Sequence, residues 1–105
     1  MKIKNGVWKS VANNTFWIHV IENKVFWLGM NSNTGKDWCH VGNGIIKENK
    51  IYLDWSDIPA GEGDLHGNIV IEILTESEMK VIEDSGNFGL SEWKWFAEKM
   101  NIGGN

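Results

Sequence analysis

The chain has 105 residues, with 10 lysines and no arginine against 14 acidic side chains, for a formal net charge of −4. That length holds one domain with one core. The charge excludes a basic nucleic-acid face and attachment to an anionic membrane surface, and without arginine the forks that read phosphate and guanine are missing.

The first residues, Met1-Lys2-Ile3-Lys4-Asn5, pass straight into Gly6-Val7-Trp8 with no apolar leader core, and no apolar run is long enough to span a bilayer. Together with a lone thiol, Cys39, this sets the expectation of a cytoplasmic protein without membrane contact. One cysteine also excludes an intrachain disulfide and a cysteine-ligated zinc site.

From there the rhythm is strand and turn. Short apolar runs alternate with Asn, Gly, Asp and Ser, which predicts strands near 5–11, 14–21, 24–30, 38–47, 50–56, 67–75, 78–84 and 92–96. Asn13-Asn14 and Glu22-Asn23 read as tight turns, the latter with left-handed backbone at Asn23; Glu48-Asn49 and Glu76-Ser77 are also hairpin-sized. Two connectors are longer: Asn31 to Lys36, and Asp57 to His66 with Pro59, Gly61 and Gly63. Ala97 to Met100 reads as one helical turn, and 101–105 as a frayed tail. The predicted fold is a single all-β domain, a meandering antiparallel barrel of about eight strands, with a β-sandwich as the alternative. Closure would remove both sheet edges and place Trp8 beside Trp93 and Trp95.

Alternation assigns faces. Ile69, Ile71 and Ile73 point inward, as do Ile51, Leu53 and Trp55, leaving Tyr52, Asp54 and Ser56 outside. Trp93 and Trp95 share a face opposite Lys94. Strands 14–21 and 24–30 are apolar on both sides: Phe16, Ile18 and Val20 oppose Trp17, His19 and Ile21, and Val25, Trp27 and Gly29 oppose Phe26, Leu28 and Met30. A second apolar face needs cover, by a ligand, a partner or a homodimer contact.

Seven tryptophans are the strongest compositional signal. Trp8, Trp55 and Trp93 read as core fillers of a narrow barrel. Trp17, Trp27 and Trp38 are balanced between core and surface, and Trp38 follows a polar loop where it could line a mouth. His19, His40 and His66 are not spaced as a metal set, and Cys39 and His40 fall on opposite sides of one strand, so neither a metal site nor a Cys–His pair is expected. Asp54 and Asp57 are the nearest carboxylate pair for hydrolysis. The segment Gly61-Glu62-Gly63-Asp64 carries acids where a phosphate loop would need none.

Several segments in order, Phe16-Trp17-Ile18, Val25-Phe26-Trp27-Leu28-Gly29, Trp55-Ser56-Asp57-Ile58-Pro59-Ala60-Gly61 and Gly86-Asn87-Phe88-Gly89-Leu90-Ser91-Glu92-Trp93, resemble a small, uncharacterised all-β domain family with a W-x-D-[VI]-P-x-G corner and a G-x-F-G-x-S-x-W ending. The chain departs from that pattern at Gly42, Leu90 and Trp95. Gly6-Val7-Trp8 also resembles the G-x-W start of lipocalin-like barrels, in which the tryptophan plugs one end. The resemblance implies a small β-barrel and no activity. The sequence therefore supports a non-enzymatic module binding a small neutral or sugar-like ligand through Trp38, His40, Trp55 and Asp57, with no cofactor, no metal and no catalytic residue. The alternatives are a protein-interaction or self-associating domain using the second apolar face, and a hydrolase or isomerase using Asp54, Asp57 or a histidine.

Overall fold

The computed structural model describes residues 2–58 and 64–100. Pro59, Gly61, Gly63 and the tail 101–105 lie outside the described residues. The strands are β1 (Gly6–Ser10), β2 (Thr15–Ile21), β3 (Lys24–Met30), β4 (Cys39–Lys47), β5 (Lys50–Asp57), β6 (His66–Thr75), β7 (Glu78–Asp84) and β8 (Glu92–Ala97). Each pairs antiparallel with its neighbour in the chain, and β8 returns to β1, so the sheet closes into an eight-stranded barrel rather than a sandwich. Trp8 pairs with Trp95 and Ser10 with Trp93 across that closure.

The expected helical turn at 97–100 is not formed. Ala97 belongs to β8 and pairs with Val7, and no helix occurs among the described residues. Satisfying the backbone of β1 at the closing seam outweighs a local helical preference.

Inward positions follow the alternation. Ile18, Ile51, Leu53, Ile69, Ile71, Ile73 and Met79 are all buried. Burial of each such side chain contributes on the order of 1.5–3 kcal/mol. Trp8, Trp27, Trp55 and Trp93 fill the wider sections. Of the two ambiguous strands, β2 turns Phe16 and Ile18 inward and β3 turns Val25 and Trp27 inward. Met30 has the outward parity but is buried, with the loop residue Gly35 close against it.

The barrel has two unlike ends. One carries the tight turns Glu22-Asn23, Glu48-Asn49 and Glu76-Ser77. Here the N-terminal segment is tied down: Lys4 N–H donates to Glu76 O (2.9 Å), and the Trp8 and Trp95 indoles donate to Lys4 O (2.9 Å) and Asn5 O (3.1 Å). The other end carries the longer connections 11–14, 31–38 and 85–91, with Ile58 and Leu65 beside them.

In the β2–β3 turn the left-handed residue is Glu22 (φ 58°), not Asn23. Positive φ falls on the first residue of the turn, and glutamate gains nothing there that asparagine would not. Glu22→Asn is expected to stabilise the fold by about 0.5–1 kcal/mol, read as a raised urea midpoint; an unchanged or lowered midpoint would refute the strain argument.

Candidate functional site

The loop end holds a pocket of about 550 Å³. Its walls come from Phe16 at the start of β2, Trp38 at the end of the β3–β4 loop, His40 at the start of β4, Trp55 at the end of β5, and Phe88 in the β7–β8 loop. All four residues that the sequence singles out, Trp38, His40, Trp55 and Asp57, line it. The β4–β5 register brings them together by pairing His40 with Asp57 and Gly42 with Trp55. At the rim, Val11 and Leu90 are among the most exposed apolar side chains of the molecule, 75% and 83% exposed.

His40 is the centre of the aromatic cluster. Its ring stacks on Trp38 with centroids 5.1 Å apart and planes 7° from parallel. Trp55 and Phe88 lie tilted against it at 5.4 and 5.6 Å, and Phe16 at 5.8 Å. The Trp27 indole N–H donates to His40 Nε2 at 2.9 Å. An indole nitrogen only donates, so Nε2 is the unprotonated nitrogen and the proton of the neutral ring sits on Nδ1. Burial is the main cause that lowers the His40 pKa from 6.5 to about 4; the Asp57 carboxylate pulls the other way and does not compensate. At neutral pH His40 is an uncharged ring with one N–H to offer.

Gly29 makes this geometry fit. It pairs with both Phe16 and His40, and a Cβ there would sit 2.5 Å from His40 Nε2 and 2.6 Å from the Phe16 ring.

Asp57 is buried at the pocket wall, 8% exposed, and one of its carboxylate oxygens accepts the Leu65 N–H at 2.9 Å. Asp54 faces solvent on the outside of the same strand, so the two aspartates do not share a site. The opposite parity of positions 54 and 57 was legible in the sequence. His19 and His66 are exposed and away from His40, and no group of three or more His, Cys, Asp or Glu side chains among the described residues could hold a metal ion. The indole N–H groups of Trp55 and Trp93 are buried without an acceptor among the described residues.

Phe88 is positioned by a carboxylate. Asp84 accepts backbone N–H groups from Gly86 (3.0 Å), Phe88 (3.3 Å) and Gly89 (2.7 Å). Slight desolvation pushes its pKa up, but the backbone donors together outweigh it and hold the carboxyl below 3.8. Gly86 and Gly89 adopt φ 132° and 89°, with open space around both. The glycines are thus required by backbone conformation and not by crowding. Gly89→Val is expected to destabilise by about 1–2 kcal/mol through positive φ alone. The check is a thermal melt; an unchanged Tm would remove the argument.

What the sequence did not show is the partner of His40. Trp27 reads there as an undecided aromatic on a doubly apolar strand. Compared with protein-family models, with curated proteins and with solved structures, the chain matches none.

Proposed function

We propose that this barrel is a non-enzymatic small-molecule-binding module and that the loop-end pocket is its site. The observation that carries this is the pocket itself: about 550 Å³, with five rings as walls drawn from three strands and two loops. That volume lies in the range of sites for small organic ligands. The rings give stacking surfaces, and the His40 N–H is a fixed donor for a ligand acceptor. Asp37 and Asp57 line the pocket and no lysine does, which disfavours anions such as phosphates and fatty acids.

A screen of neutral heteroaromatic compounds and monosaccharides, followed by amide and indole NMR shifts, tests the proposal. Shifts should gather in 11–14, 31–38 and 85–91 and on the indoles of Trp38 and Trp55. Trp38→Ala should weaken binding about five- to thirtyfold, because one indole face is worth about 1–2 kcal/mol. Phe26→Ala, on the outer wall, should not. Absence of any shift, or shifts confined to the outer wall, would defeat this reading.

One observation favours a second reading, self-association. Phe26, Val41, Ile45 and Tyr52 are 43–49% exposed on the outside of β3, β4 and β5, around a shallow depression of about 910 Å³. Light scattering at high concentration decides it: a dimer that Tyr52→Glu dissociates supports the outer wall, and a strict monomer removes it.

A further inference from the structure

Asp57 is a carboxylate more than nine-tenths buried, at the wall of an aromatic pocket, with no cationic side chain against it among the described residues. Lys80 pairs with Glu72 at 3.9 Å, but on β6 and β7 and away from the mouth. The backbone partner of Asp57, Leu65 N–H, satisfies one oxygen but carries no charge. Buried charges are ordinarily paired.

The neighbouring His40 supplies no compensating charge either, since its Nε2 is occupied as an acceptor from Trp27. A second carboxylate, Asp37, lines the same pocket. The loop 31–38 carries Lys36, which does not line the pocket.

From this combination we infer that the ligand of the mouth is an organic cation, of the methylated-ammonium class, seated among Trp38, Trp55 and Phe88 with its charge toward Asp57. Aromatic faces attract such cations through their quadrupoles, and a methylated ammonium sheds its weak hydration at little cost. The carboxylate supplies the charge that the rings lack. A bare ammonium or metal ion would lose more hydration than apolar walls return. The exposed Val11 and Leu90 at the rim suit the methyl groups and carbon chain of such a ligand, and the His40 N–H suits a hydroxyl or carbonyl on it.

The inference rests on the mouth being the binding site, and the test separates the two. Choline is titrated at low ionic strength beside its neutral carbon isostere, 3,3-dimethyl-1-butanol, with NMR shifts of the indole N–H groups as readout. Choline should bind at least about tenfold more tightly than the isostere, consistent with a partly desolvated cation–π contact. Asp57→Asn keeps an oxygen acceptor for Leu65 and should lower the preference for choline severalfold, leaving only the part the rings and Asp37 supply; an unchanged preference would overturn the role of Asp57. Asp37→Asn, at an exposed position, should reduce the preference by a smaller factor, and it keeps the test valid if the Asp57 variant fails to fold. Equal binding of choline and the isostere would overturn the cation inference while leaving the mouth as a site. No shift with choline, where the neutral screen does produce shifts at the mouth, would overturn it too; silence in both titrations and in the screen would overturn both readings.

Discussion

Acidification from about pH 7.5 to about pH 4 is expected to cost the barrel about 3 kcal/mol through His40 alone. The unfolded chain protonates this histidine near 6.5, whereas the folded chain holds it neutral down to about 4. Between those values the unfolded state binds more protons. The contribution is therefore fully present above 6.5 and is lost as pH falls toward 4. Asp57 is the titratable group that acts on His40; the other rings around it, Phe16, Trp27, Trp38, Trp55 and Phe88, do not titrate. The Asp84 contribution has the same sign but a lower window, since its carboxyl is held below 3.8 and its loss begins beneath the His40 range. Urea unfolding of the native chain and of His40→Gln across this span isolates the effect. Glutamine keeps an acceptor for Trp27 but does not titrate, so its stability should change far less with pH. Parallel pH dependences in the two proteins would overturn the assignment.

Gly29→Ala is expected to destabilise by at least about 3 kcal/mol, the upper end of what overpacking a core usually costs. The added Cβ meets two rings at once, His40 Nε2 at 2.5 Å and the Phe16 edge at 2.6 Å. Phe16 is itself packed edge-on against Trp27 and Trp93, with centroids 5.3 and 5.5 Å away, so it can yield only toward the pocket it lines, at the expense of those ring contacts. Displacing His40 also strips the Trp27 indole of its acceptor, which adds the cost of a buried unpaired donor. Chemical denaturation measures the loss, and Phe16→Leu in the same chain should return part of it by vacating the space. A Gly29→Ala protein as stable as the native one would show that the cluster is looser than its geometry states.

Much of the barrel is legible in the sequence because period-two patterning is strong where one face is buried. β5 is the clearest case: Ile51, Leu53, Trp55 and Asp57 alternate strictly with Tyr52, Asp54 and Ser56. The tight turn at Glu48-Asn49 then fixes the β4–β5 register, so counting outward from it sets His40 opposite Asp57. That is why the four candidate residues lie together. The β3–β4 register is not open to such counting, because the loop 31–38 between them is long and irregular. The contact of Trp27 with His40, and the need for glycine at 29, follow only once that register is known. The apolar outer face of β2 and β3 hid which of Phe16 or Trp17, and of Phe26 or Trp27, turns inward. At 97–100, local propensity misled because the deciding partner, β1, lies at the far end of the chain.

The closing seam has a kinetic consequence. Seven of the eight strand pairings join neighbours in the chain and can form as local hairpins. The eighth must bring together groups as distant as Asn5 and Trp95, separated by 90 positions. Its loop-closure entropy falls due before most of its contacts reward it, which makes this the slow step of assembly. β8 pairs with β7 over the short register from Glu78↔Lys94 to Lys80↔Glu92, flanked by backbone bonds from Val81 N–H to Ser91 O and from Trp95 N–H to Ser77 O, so its docking relies heavily on β1 as well. Until β8 docks, the edges of β1 and β7 stand open to other chains. Refolding yield should therefore fall with protein concentration, and substitutions at the β1–β8 seam should govern that yield more than those in any hairpin.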